Sequence, residues 1–145
     1  MKTEYSILTY QELIKLIKHQ VNIPEDCPFV KRCSDKQKVG IICDKPTVDK
    51  LIASRDFTWS ESGHGEHRCY SLVVPELKTR TLIHCNKISP AFSILGRTLH
   101  SVIIIGSEFD DMPALLNAAK AATDTCANIL KDDNRVITAK GYSNG

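Results

Sequence analysis

Apolar residues recur at helical spacing over residues 10–21, where Leu13, Ile14, Leu16, Ile17 and Val21 share one face. Thr9 followed by Glu12 has the form of a capping box, so the helix is expected to start there. Val39-Gly40-Ile41-Ile42-Cys43 is a short apolar run of the kind that makes a buried strand. Asp44-Lys45-Pro46 behind it carries the chemistry of a helix start and leads into a short helix with Val48, Leu51 and Ile52 inward. Three more strands are expected near residues 56–61, 67–75 and 79–86, joined by short loops as an antiparallel meander. The β-branched run of Leu99–Gly106 reads as a central strand. Asp110, Asp111 and Pro113 then open the longest helix, in which Leu115, Ala119, Ala122, Cys126 and Ile129 form one apolar stripe. Arg135–Ala139 is expected as an edge strand, and Gly141–Gly145 as a frayed tail.

This pattern predicts one α+β domain over residues 1–145. Its sheet is expected to be mainly antiparallel, of about four to six strands, with a long C-terminal helix and two shorter N-terminal helices packed on it.

Composition narrows the class of protein. A chain of 145 residues is long enough to bury its own core, and 42% hydrophobic with 25% charged residues is ordinary for a folded domain. The net charge of +2 and pI near 8.2 are too mild to indicate nucleic acid. The longest apolar run, Val102–Ile105, is far too short to span a membrane, so no membrane association is expected. Met1–Tyr5 lacks the apolar segment of a secretory signal, and the six cysteines are irregularly spaced. Reduced thiols in a cytoplasmic protein are therefore expected.

Candidate chemistry concentrates in Ser62-Gly63-His64-Gly65-Glu66-His67-Arg68-Cys69 and in His84-Cys85, which together hold three of the five histidines. Such side chains bind metals or move protons. If Pro75–Lys78 is the turn between the second and third meander strands, Cys69 lies opposite His84 and His67 opposite Asn86. If Ser62–Glu66 is the preceding turn, Trp59 lies opposite Cys69 and Glu61 opposite His67. One face would then carry Phe57, Trp59, Glu61, His67, Cys69, Leu82 and His84.

Two chemistries fit that cluster. In the first, zinc is held by two or three of His64, His67, Cys69 and His84, foremost His67, Cys69 and His84, with Glu66 or Glu61 as a carboxylate ligand or a base acting on bound water. In the second, which needs no metal, a pair drawn from His64, His67 and His84 serves as general acid and base, with Glu66 as a further base and Arg68 steadying a phosphate or oxyanion. Both describe a hydrolase or lyase acting on a small-molecule or phosphate-bearing ligand. His64-Gly65-Glu66 matches half of the zinc deaminase pattern, but no Pro-Cys-x-x-Cys follows. His64-x-x-His67 lacks the helical His-Glu-x-x-His of the zincins. Against both readings stands a plain one, a polar loop with two exposed histidines and two buried thiols.

Other constellations are weaker. Asp56 with Glu76-Leu77-Lys78 has the spacing of a PD-(D/E)xK nuclease core, in which the carboxylates hold Mg²⁺ and the lysine orients water. Cys27, Cys33 and Cys43 with His19 have spacings unlike a zinc knuckle. The acidic loop Gly106–Asp111 joins a buried strand to a helix start, and its charges argue against phosphate there. The runner-up function is a non-catalytic protein, of the kind mobile elements encode to block or sequester a host component. It would act through the same surface on a protein partner, and a homo-oligomer is compatible with either reading.

Overall fold

The computed structural model describes residues 3–21, 39–53, 58–62, 69–73, 82–86, 94, 96 and 98–143. Strand β1 (Glu4–Thr9) feeds helix α1 (Tyr10–Val21). Strand β2 (Val39–Cys43) feeds α2 (Lys45–Ala53), and β3 (Thr58–Ser62), β4 (Cys69–Val73) and β5 (Leu82–Asn86) follow. Strand β6 (Ser101–Ile105), helix α3 (Met112–Leu130) and strand β7 (Val136–Ser143) complete the order. No described helix is long and apolar enough to cross a membrane.

The seven described strands form one sheet in the order β1-β7-β6-β2-β5-β4-β3. The expectation of a mainly antiparallel sheet is overturned. Every pairing from β1 through to β5 is parallel, and only β5-β4-β3 is antiparallel. The domain is therefore α/β. The physical reason lies in the connections: parallel neighbours need crossovers, and α1, α2 and α3 lie on those crossovers. β2 and β6 are buried at every position, as parallel strands covered on both faces are.

Alternation along the central strands divides the core into two layers. Ile41, Ile103 and Ile137 pack with Leu13, Ile17, Val48 and Leu51 of α1 and α2. Ile42, Val102 and Ile104 pack on the other face with Leu115, Ala119 and Ala122 of α3. The stripe expected on α3 is buried at Leu115, Ala119, Ala122 and Cys126, whereas Ile129 is half-exposed. The Asp111 carboxylate caps this helix by accepting from the Ala114 N–H at 3.1 Å.

Two parts of the chain depart from expectation. β1 was not anticipated, because its sequence Glu-Tyr-Ser-Ile-Leu-Thr is neither cleanly alternating nor uniformly apolar. β7 is no edge strand ending in a frayed tail. It continues to Ser143, lies between β6 and β1, and buries Tyr142 to 1% exposure. Arg135, just ahead of it, is buried and ties distant elements together. Its guanidinium donates to the carbonyls of His100 (2.7 Å) and Gln20 (2.8 Å) and meets the Asp132 carboxylate at 3.4 Å.

The capping box is present as expected. Glu12 Oε1 accepts from the Thr9 N–H at 3.2 Å, and Thr9 Oγ1 accepts from the Glu12 N–H at 3.3 Å. Thr9→Ala should cost about 1 kcal/mol in urea unfolding. A variant as stable as the parent would show that packing of Leu13 and Ile17, not the cap, sets the start of α1.

Candidate functional site

Adjacent strands β2 and β6 send their chains to opposite faces. After Cys43 the chain enters α2 on one side of the sheet, and after Ile105 it leads to α3 on the other. Such a divergence leaves a crevice outside the carboxyl ends of the two strands, where ligands of open α/β sheets bind.

Asp44 directly follows β2 at this edge and is only 5% exposed. Its Oδ1 accepts from the Thr47 N–H at 3.1 Å and so caps α2. Its Oδ2 reaches across to the loop after β6 and accepts from the Ser107 and Glu108 N–H groups at 3.0 and 3.2 Å. The Asp44 N–H in turn donates to the Ile105 carbonyl at 3.2 Å. Burial by itself raises the carboxyl pKa. Hydrogen bonds from the Thr47 hydroxyl and from the Thr47, Glu108 and Ser107 amides outweigh it and hold the group below the usual carboxylate range.

Gly106 makes this approach possible. Its φ is 138°, and a Cβ there would fall 2.2 Å from the Asp44 carboxyl carbon. The backbone amides that could bind a ligand's phosphate at such a place are thus already satisfied by a carboxylate of the chain itself. In the segments that follow β2 and β6, Lys45, Glu108, Asp110 and Asp111 are exposed.

The sequence marked Asp44 only as a helix start. Its partners at 107 and 108 lie more than sixty residues away, and nothing local announces them. The available signal was the conjunction of two apolar strands, one ending in Asp44-Lys45-Pro46 and the other in Gly106-Ser107-Glu108.

The His/Cys cluster is placed in part. His64, Glu66, His67 and Arg68 lie outside the described residues, as do Asp56, Glu76 and Lys78 of the nuclease-like set and Cys27 and Cys33. The backbone register of the flanking strands corrects the expected pairings. Cys69 pairs with Asn86, and His84 pairs with Ser71. Cys69 and His84 therefore occupy the same face two positions apart, not directly opposed. Trp59 pairs with Leu72 and Glu61 with Tyr70, so both alternate to the face opposite Cys69. The two pairings differ from those expected by two and three residues, and the odd difference exchanges the faces.

His84 is also paired with Gly40 of β2. Gly40 belongs to the α3 side, where a Cβ would meet Leu99 at 3.1 Å and Ile94 at 3.4 Å. Among the described residues no three His, Cys, Asp or Glu side chains gather closely enough to hold a metal. Cys43 and Cys126 are buried core residues.

Sheet polarity relates the two regions. β5 is parallel to β2, so Asn86 lies toward the edge where β2 and β6 end. Cys69 pairs with Asn86, and Ser62 pairs with Cys69. The two strand ends that bracket 63–68 therefore lie at the carboxyl edge that carries Asp44. Thr58, Val73 and Leu82, which adjoin the nuclease-like set, lie at the opposite edge. No family model matches this chain, and no match is found among characterised proteins or solved structures.

Proposed function

We propose that the chain is a small enzyme of hydrolase or lyase type, acting on a small polar substrate at the carboxyl edge of its sheet. His64 and His67 are its proton-transfer groups, Glu66 is the base, and His84 is a further member two positions in from that edge. The observation that carries this reading is strand polarity. The ends of β3 and β4 that bracket the histidine segment share an edge with the β2–β6 crevice. Ligand crevices of such sheets lie at that edge.

Asp44 narrows the substrate. Because it occupies the amides of Ser107 and Glu108, a phosphate-bearing substrate would be held by Arg68 and not by the loop after β6. His67, Cys69 and His84 are suitable zinc donors by type, and zinc bound by them would activate water.

The test is turnover on a panel of small carboxylic esters, amides and phosphate esters, with Glu66→Gln and His67→Ala beside the parent. Both variants should lose at least about a hundredfold in kcat/KM while unfolding within about 0.5 kcal/mol of the parent. Full activity in both variants removes the site, and a parent inert on the whole panel removes the enzyme reading. Elemental analysis decides the metal. Stoichiometric zinc whose affinity drops about tenfold or more in His84→Ala supports the metal form.

A further inference from the structure

We propose that residues 106–110 form a gate over the crevice at the ends of β2 and β6, and that the Asp44 carboxylate is its latch. The gating role rests on the enzyme reading above, whereas the latch does not. The Gly106 N–H donates to the Ala139 carbonyl at 2.8 Å, which fixes the start of the segment to β7. Asp111 fixes its far end. The Asp111 carbonyl accepts from the Leu115 N–H and its carboxylate from the Ala114 N–H, both at 3.1 Å. Between these anchors, the hydrogen bonds among the described residues are those of the Ser107 and Glu108 amides, and both go to Asp44 Oδ2. Their acceptor lies across the crevice, on the residue that links β2 to α2.

The rest of the segment adds little hold. Ser107, Glu108 and Asp110 are exposed, and Phe109 is partly buried against the α3 layer. A stretch with so few buried contacts and backbone bonds opens at lower free energy than the sheet beside it, and active-site lids are drawn from such stretches. Gly106 supplies the pivot. It stands at a strand end with φ 138°, where the backbone has a freedom that other residues lack. Ile103 and Ile104, by contrast, are paired on both sides, to β2 and to β7, and are fully buried.

Opening therefore breaks the two bonds to Asp44 and the contact of Phe109, while both ladders of β6 stay intact. It also uncovers the Asp44 carboxylate, which in the closed state is spent on the chain's own amides. The bond from the Thr47 N–H to Asp44 Oδ1 lies within the start of α2 and does not cross the crevice, so the helix cap outlasts the latch. Asp44→Asn separates the two. Asparagine caps helices as well as aspartate does, but its NH₂ group would face the Ser107 and Glu108 amides, donor against donor.

The test is native-state hydrogen exchange on the full chain at a series of low urea concentrations. In the parent, the Ser107 and Glu108 amides should be at least about tenfold less protected than those of Ile103 and Ile104. Their exchange should barely respond to urea, because a local opening exposes little surface. In Asp44→Asn, the same two amides should lose at least about tenfold more protection, while Ile103 and Ile104 stay protected. Ser107 and Glu108 amides that share the protection and urea dependence of Ile103 and Ile104 overturn the proposal, since the segment then opens only with the whole domain. So does an Asp44→Asn chain that keeps the parent's protection at both amides. The parent's urea dependence decides by itself if the variant does not fold. Neither readout depends on turnover, so failure of the latch and failure of the enzyme reading are told apart.

Discussion

Asp44→Ala is expected to lose about 3–5 kcal/mol of stability at pH 7, read as a lower urea midpoint. Three amide donors, at Thr47, Ser107 and Glu108, lose their acceptor together. A hydrogen bond to a charged group contributes about 1.5–3 kcal/mol, and a buried donor left alone costs more than a bond never made. That loss is a large share of the stability of a domain this size.

The pH dependence has a definite sign. Asp44 has a folded pKa below its unfolded one, so its contribution is complete above the usual carboxylate pKa of about 4. It is lost as pH falls through that value towards the lower folded pKa. The gap between parent and Asp44→Asn should therefore narrow below about pH 4. A gap that is constant between pH 7 and pH 3 would show that the charge contributes nothing. Gly106→Ala should also be severe, since the added methyl falls on the Asp44 carboxyl group at a backbone angle side chains rarely adopt. The clash is shared, so the Asp44→Ala/Gly106→Ala pair should cost clearly less than its two parts together.

Ile103→Ala and Ile104→Ala should each cost about 2–5 kcal/mol. The two side chains point to opposite faces of β6, and both are fully buried. Ile103 belongs to the layer under α1 and α2, and Ile104 to the layer under α3. A one-layer domain would be sensitive at one of the two positions only. If Ile103→Ala costs less than about 1 kcal/mol, the α1 and α2 layer does not cover the sheet in solution.

What the sequence determined by itself was local. The start of α1 was legible because Thr9 and Glu12 satisfy each other's amides within one turn. The start of α3 was legible because Asp111 caps it and Pro113 lies in its first turn. β2 and β6 were legible because short apolar runs rich in Ile and Val have few other places to go in a folded domain. In each case the energy that sets the element comes from residues within a few positions of one another.

Tertiary structure decided the rest. Whether β2 lies parallel to β6 depends on where a crossover returns the chain, and that energy is spread over two core layers and not over any short pattern. β1 and the end of β7 become strands because each supplies the other's backbone partners, from opposite ends of the chain. The pairing of Cys69 with Asn86, and not with His84, depends on turn positions that Pro, Gly and charged residues allow in several places. The crevice was least legible of all. Asp44 caps a helix as its neighbours suggested, but only the adjacency of β2 and β6 gives its second oxygen the amides of Ser107 and Glu108.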